Sequence, residues 1–295
     1  MSPEAVARAL GGAFQSGEWW RCRCPAHNSR SSSLALREGR SGLVVKCWGG
    51  CSWREVMGEL QRLNLIDDTR KFNAPNAEEI KRLQTANAAA RVRRIANALD
   101  LWAEGSDHAH NLAEQYLRSR GITITLPPTI RAHAPIRHSE SGEMRPAMLA
   151  LVEHVGHGPV GVHCTYLRFD GRGKATVTPD KKSFGPVGGA AARLSMGRMD
   201  GWLVVGEGIE STLSAMQLWH CKSGWAALSA TGLRNLVLPP EAQRLVIAVD
   251  NDLNGVGQAA ARDAACIWQR EGRTVRVALP PTPNSDFNDI LMGRF

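Results

Sequence analysis

Residues 202–211 read WLVVGEGIES and residues 244–252 read RLVIAVDND, and the fold turns on these two stretches. Each is a continuous apolar run rather than an alternating one, which predicts a strand buried on both faces. The first run ends at Glu207, the second at Asp250 and Asp252. In an open parallel sheet, ligands bind outside the C-terminal ends of the strands. Three carboxylates released at such an edge repel one another unless a cation joins them. A pair of hard divalent ions resolves that repulsion, and Mg2+ prefers oxygen ligands.

The surrounding sequence continues the α/β alternation. A helix is expected to begin at Ser211 and run to Trp219, WAALSATG (225–232) reads as a second strand, and GVGQAAARDAACIWQREG (255–272) as a helix closed by Gly272. TVRVALP (274–280) reads as a fourth strand, and Asp286 to Leu291 as a last short helix. Strands alternating with helices imply right-handed crossovers and a parallel sheet. In an extended strand Asp250 and Asp252 share a face, opposite Asn251.

Near the other end, Cys24-x2-His27 and Cys47-x3-Cys51 form two close pairs separated by enough chain for a hairpin. Two such pairs, each on a turn and joined by a ribbon, assemble a four-coordinate structural zinc site, and thiolates with a neutral imidazole suit Zn2+. Cys22 is an alternative ligand. Leu34 to Leu36 and Leu43 to Val45 are the expected hairpin strands, Gly49-Gly50 allows a tight knuckle, a helix from Trp53 to Leu65 covers the site, and residues 4–15 form a short leading helix after Pro3.

Between these regions, residues 66–77 (IDDTRKFNAPNA) are polar and read as linker. Residues 78–102 predict a helix with a loose apolar stripe at Ile80, Leu83, Ala90, Ile95 and Leu99. Lys81, Arg82, Arg91, Arg93 and Arg94 lie mostly off it, more as a solvated face than as a nucleic-acid contact. Residues 111–121 (NLAEQYLRSRG) predict a second helix. Residues 122–195 read mainly as strand, with MLALVEHV, VGVHCTYLRFD and KATVT separated by Gly-rich turns. His154, His157 and His163 show no ligand spacing and read as surface or core histidines.

Two resemblances follow. Glu207-Gly208, then Asp250-x-Asp252, then Ser285-Asp286-Phe287-Asn288-Asp289, resemble the Toprim domain of bacterial-type primases, topoisomerases and some nucleases. CPAH (24–27) followed by a Ser-rich turn and SLAL resembles the Cys-His-Cys-Cys zinc module of bacterial and phage primases, with the x3 spacing of phage- and plasmid-type members. YLRSRGI (116–122) and the stretch 145–189 are similar to the first lobe of a primase core of mobile-element type. The fold implied is α/β: a zinc ribbon over 1–66, a helical linker over 67–110, a small α+β basic lobe over 111–200, and a Toprim domain over 201–295 whose parallel sheet is flanked by helices.

The resemblance implies catalytic roles for Glu207, Asp250, Asp252 and Asp286. The first three would hold Mg2+ or Mn2+, and Asp289 is a weaker candidate. Many primases carry another acid four residues after the Toprim Glu. Here that position is Ser211, and whether Glu210, three after, takes its place as a ligand stays open. Arg145, Lys181 and Lys182 fall where basic residues face template and nucleotide phosphates, and they read equally as surface loop residues.

The function implied is a DNA-dependent primase of a phage, plasmid or other mobile element, making short RNA primers on single-stranded DNA from NTPs. A Toprim nuclease and a non-catalytic zinc/Toprim scaffold are the alternatives. Topoisomerase chemistry needs a nucleophilic Tyr, and Tyr116 and Tyr166 both precede the Toprim stretch. There is no GxxxxGKS or GxxxxGKT, so any replicative helicase is a separate chain. A formal net charge of +8 over 295 residues suits a polyanionic partner. Seven Cys, a polar start (MSPEAVARAL) and no run approaching a membrane span of ~20 residues point to a reduced cytoplasmic protein with no membrane partner.

Overall fold

The structure is a computed structural model that describes residues 2–27, 32–39, 42–66, 77–106, 110–195 and 201–294. It separates into two compact units, residues 1–84 and 85–295. The linker reading at 67–76 lies outside the described residues, as do the side chains of Ile80, Lys81, Arg82 and Leu83. Among the described residues no helix is long and apolar enough to cross a membrane.

The first unit is built on a four-stranded antiparallel sheet in the order β1 (Phe14–Ser16), β2 (Trp19–Cys22), β3 (Leu34–Gly39) and β4 (Gly42–Cys47). Helix α1 (Pro3–Leu10) precedes it and α2 (Trp53–Arg62) follows. Val6, Leu34, Leu36, Val56 and Leu60 form their common core. The expected hairpin is present, and each of its strands is six residues long where three were expected. The leading helix stops sooner than residues 4–15 predicted, because Gly11 and Gly12 take positive φ and residues 14–16 pair with 19–21 instead. That first hairpin went unread because its three-residue strand is exposed throughout and carries no apolar alternation. Ser52 caps α2 in a reciprocal capping box with Glu55.

Helix α3 (Ala77–Glu104) begins in the first unit and runs into the second, where it and α4 (His110–Ser119) precede a nine-stranded sheet. Its strands are β5 (Ile130–Arg137), β6 (Met144–His154), β7 (Gly158–Tyr166), β8 (Lys181–Phe184), β9 (Ala191–Arg193), β10 (Trp202–Gly206), β11 (Ser223–Ala226), β12 (Arg244–Ala248) and β13 (Thr274–Ala278). The order is β13-β12-β10-β11-β9-β6-β7-β8, with β5 also on β6. Strands β10 to β13 run parallel to one another, and β9, antiparallel to both β11 and β6, joins that parallel part to an antiparallel part. KATVT (174–178) is not a strand. The chain there makes one bridge, Leu167 to Lys174, and pairs with β7 only from Lys181 onward.

The parallel part is flanked by α5 (Ile209–Leu218), α6 (Ala230–Asn235), α7 (Val256–Arg270) and α8 (Phe287–Leu291). WAALSATG yields strand only to Ala226, and its remainder opens α6 under the Ser229 cap. Both faces of β10 and β11 and most of β12 are covered, as continuous apolar runs require, whereas the edge strand β13 is largely exposed. Val204, Ala226 and Ala248 pack with Leu213 and Met216, whereas Leu203, Val205, Leu245 and Ile247 pack with Ala260, Ala264 and Trp268.

The crossover from β10 runs to β11 on one side, and the next parallel strand, β12, lies on the other side of β10. The chain thus reverses direction across the sheet between β10 and β12. At the end of β10, a Cβ on Gly206 would stand 2.3 Å from Thr212 Oγ1, which donates to the Gly208 carbonyl and has no free volume to move into. Gly206→Ala is therefore expected to lower stability by roughly 1–3 kcal/mol, read from the urea midpoint.

Candidate functional site

Parallel pairing of Gly206 with Ala248 sets Glu207 and Asp250 just beyond two neighbouring strand ends, at the point where the strand order reverses. Glu207 accepts from the Ala230 N–H at the start of α6, and Gly257 on α7 leaves room for its Oε2. Burial raises the Glu207 carboxyl above its usual range and the Asp252 charge adds to this, while the Ala230 N–H and Lys181 oppose it. Burial pushes Asp250 up to about 6 against the Ser211 hydroxyl, which donates to Oδ1 at 2.7 Å; Asp286, Glu207 and Asp252 push it the same way as burial. The four acids singled out from the sequence thus share one electrostatic site.

The intervening Asn251 turns away from the acids and anchors the loop that delivers Asp286. Its Nδ2 donates to the Pro280 and Thr282 carbonyls at 2.9 and 3.1 Å, and its backbone exchanges bonds with Ser285 and Asn284. Asp286 caps α8, accepting from the Asp289 N–H at 2.8 Å, and Asp289 accepts in return from the Asp286 N–H. Asp289 is thereby occupied in the cap.

Glu210 is placed elsewhere. It is buried, accepts from the Tyr116 hydroxyl at 2.6 Å, and lies 3.6 Å from Lys174 Nζ. Burial works against its ionisation, but Lys174, Tyr116 and Lys181 together hold it down at about 2. Lys174 also pairs with Asp180 at 3.3 Å. Tyr116, Lys174 and Ser211 were not read from the sequence as parts of this site. Their roles depend on contacts between segments 36 to 94 residues apart, which leave no local pattern.

The three basic candidates diverge. The exposed Lys181 is near enough for its charge to lower both the Glu207 and the Glu210 carboxyls. Lys182, on the opposite face of β8, donates to Glu140 at 2.8 Å and to Ser139. Arg145 pairs with Glu143 and lies over the Phe169 ring.

In the first unit, cross-strand neighbours Cys22, Leu34 and Cys47 form one row across β2, β3 and β4. That row carries Cys24 and His27, in the turn after β2, to the same end as Cys47 and Cys51. The ligating atoms of Cys24, His27, Cys47 and Cys51 all lie within 4.8 Å of one another. His27 Nδ1 stands 3.0 Å from Cys51 Sγ and 3.6 Å from Cys47 Sγ. These separations fit a tetrahedral ion with bonds of about 2.3 Å to sulfur and about 2.0 Å to nitrogen. A Cβ on Gly49 would sit 2.6 Å from the His27 ring, so the knuckle needs glycine there.

Burial opposes ionisation of Cys47, but the Cys51 and Gly49 N–H groups aimed at its sulfur lower it overall. Burial and the neighbouring thiols hold Cys51 up at about 12. Cys22 is fully buried in β2, outside the cluster, and burial likewise keeps it at about 12. Such a set suits zinc, whose charge favours thiolates.

Among the described residues, Cys24, His27, Cys47 and Cys51 are the one group of Cys, His, Asp or Glu side chains gathered closely enough to hold a metal ion as they stand. Mg2+ keeps several waters and takes only one or two carboxylates directly, so it does not need such a closed set.

Residues 202–294 match the family model of the Toprim domain, and residues 92–194 match that of a domain of unknown function, DUF7146. The C-terminal segment of the chain is a Toprim domain. No curated protein matches the chain. Among solved structures, the primase fragment of the bacteriophage T7 primase-helicase protein is similar over 65% of this chain and 70% of its own, at 15% identity and a TM-score of 0.38. The Aquifex aeolicus primase, with zinc-binding and RNA polymerase domains, is similar over 99% and 80%, at 12% identity and a TM-score of 0.37. The E. coli primase catalytic core is similar over 61% and 56%, at 14% and 0.34.

Two outcomes follow from the geometry. A carboxyl raised on folding favours the folded state below its unfolded value, and that contribution is lost as pH rises through the folded value. For Asp250 the window runs from 3.8 to about 6. Without divalent cation, Asp250→Asn should therefore stabilise the protein at about pH 7.5 by roughly 1–3 kcal/mol and leave it unchanged at about pH 4, read by urea denaturation. Metal analysis by mass spectrometry should find stoichiometric zinc in the wild type and in Cys22→Ser, and none in Cys47→Ser.

Proposed function

We propose that a chain coupling a Cys-His-Cys-Cys ribbon to a Toprim domain is a DNA-dependent primase, making short RNA primers on single-stranded DNA from NTPs. The observation that carries this reading is the set of Glu207, Asp250, Asp252 and Asp286 at the reversal point of the parallel sheet, Asp252 exposed and the other three half-buried, with the other acids and burial together raising the Asp250 carboxyl. A scaffold needs no such set, since desolvated like charges cost stability unless a cation meets them.

Glu207, Asp250 and Asp252 are the residues that hold Mg2+ or Mn2+, with Asp286 closing the site. When bound, these ions supply charge neutralisation at the attacking 3′-oxygen and at the leaving pyrophosphate. The bond formed joins that 3′-oxygen to the α-phosphorus of the incoming NTP, and the bond to pyrophosphate breaks. Ser211 keeps Asp250 oriented through its hydroxyl, and Asn251 keeps Asp286 in reach through the loop at 280–285. Lys181 lies near the same acids and serves as a point charge for nucleotide or template phosphate.

Zinc at Cys24, His27, Cys47 and Cys51 cross-links the ribbon. The ribbon's face presents Trp48, 56% exposed, with Arg21 and Lys46 over its ring at 5.5 and 3.9 Å, a combination that suits single-stranded DNA. The proposed protein partner is a replicative helicase, and the setting is a phage, plasmid or other mobile element.

The test is incubation with single-stranded DNA, labelled NTPs and Mg2+ or Mn2+. Short labelled products are expected from the wild type and none from Glu207→Gln, whose fold should be unchanged by circular dichroism. Equal synthesis by that variant removes the catalytic assignment, and cut DNA in place of primers makes the protein a nuclease. Cys47→Ser should depress initiation on single-stranded template more than extension of a preformed primer.

A further inference from the structure

The four acids at the strand edge are not held alike. Asp250 accepts from the Ser211 hydroxyl, Glu207 from the Ala230 N–H, and Asp286 from the Asp289 N–H. Asp252 is the exposed member of the set, and among the described residues its carboxylate takes no hydrogen bond and no ion pair. Its charge nevertheless raises both Glu207 and Asp250, so without a cation the repulsion drives it outward. What restrains it is its backbone. The Asp252 carbonyl accepts from the Gly255 N–H at 3.1 Å, closing the turn, and from Gln258 Nε2 at 2.8 Å.

Gln258 stands in the first turn of α7, directly after that loop. Its Nε2 also lies 3.4 Å from Asn251 Oδ1, and Asn251 ties down the loop that carries Asp286. One amide therefore touches both residues that follow Asp250. Its orientation follows from its partners, because a backbone carbonyl only accepts and Nε2 must face it. Gln258 Oε1 is then buried with no hydrogen-bond partner. A buried acceptor left unmet costs stability, and the large majority of such groups in folded proteins are satisfied. A glutamine kept for α7 alone would be better turned to water, as the exposed Gln269 on the same helix is. Here one half of the amide goes unmet so that the other half can reach the turn.

We propose that Gln258 is a positioning residue for the divalent ion: it holds the turn at 252–255 so that the Asp252 carboxylate meets the ion held by Glu207 and Asp250. This rests on the metal-binding reading of those acids given above. An exposed carboxylate loses freedom when it binds an ion, and each group immobilised on binding weakens affinity. Groups that orient a ligand before the ion arrives recover part of that loss. Ser211 does this for Asp250 through its side chain, and Gln258 does it for Asp252 through the main chain.

The experiment measures Mn2+ binding by the zinc-loaded full chain, without nucleotide or DNA, from the electron paramagnetic resonance of the free ion. Gln258→Met should bind Mn2+ roughly tenfold more weakly than the wild type, and Gln269→Met should bind it equally. In an Asp252→Asn background, Gln258→Met should weaken binding by less than about twofold further, since residues that act through one another are not additive. No Mn2+ binding by the wild type, or undiminished affinity in Gln258→Met, overturns the proposal. If Gln258 only steadies α7, its loss lowers the melting temperature and weakens binding by the same factor in both backgrounds, which also overturns it. None of these readouts requires primer synthesis. The expected coupling without primers would leave this inference standing and the primase reading fallen, and primers without the coupling would do the reverse.

Discussion

Everything at the candidate site depends on β10 and β12 pairing in parallel, side by side, with Gly206 opposite Ala248. Parallel pairing brings both chains out at the same edge, so the first polar residues after each strand cannot avoid one another. Both faces of those strands are covered by helices, which leaves Asp250 short of water as well as close to other carboxylates. The sheet is stabilised by apolar burial, and its edge carries uncompensated charge. Like charges of this kind repel by about 4 kcal/mol at 4 Å with an effective dielectric of about 20. A divalent cation converts that strain into binding energy.

The elements around the acids divide the work of holding them. Ser211 restrains Asp250 by a hydroxyl, the position where many primases place another acid. Asn251 spends its own amide on the loop at 280–285, and Asp286 then serves both as helix cap and as a member of the acidic set. Glu210 makes other contacts. It ties α5 to α4 through Tyr116 and to the β7–β8 turn through Lys174, so the antiparallel part and the parallel part are locked by a buried ionic contact as well as by β9. Breaking such a contact leaves an unpaired charge in a dry place, which is why it fixes position so firmly.

The ribbon solves the same problem by the opposite means. Its core is a handful of residues around Leu34, Leu36, Val56 and Leu60, small for an independent unit. Four ligand atoms gathered within 4.8 Å give it a metal cross-link to make up the difference. The cross-strand row Cys22–Leu34–Cys47 aligns the two ligand pairs, and Gly49 clears space for the His27 ring.

The sequence by itself determined the α/β alternation after residue 202, the strand ends that bear Glu207, Asp250 and Asp252, and the two ligand pairs of the ribbon. Each is a local pattern, written in continuous apolar runs or in spacings of two and three residues, and local patterns survive without knowledge of the partner strand. Short, exposed or irregular pieces were beyond it: the hairpin at 14–22, strand β9, and the bridge that replaces a strand at 174–178. Only the tertiary structure decided that Lys181 lies near the acids while Lys182 and Arg145 turn to Glu140 and Glu143, and that Glu210 belongs to Tyr116 and Lys174. These depend on strand register and on contacts across many tens of residues. A one-residue change in register would exchange the faces of every side chain on β8 without altering any pattern legible in the chain.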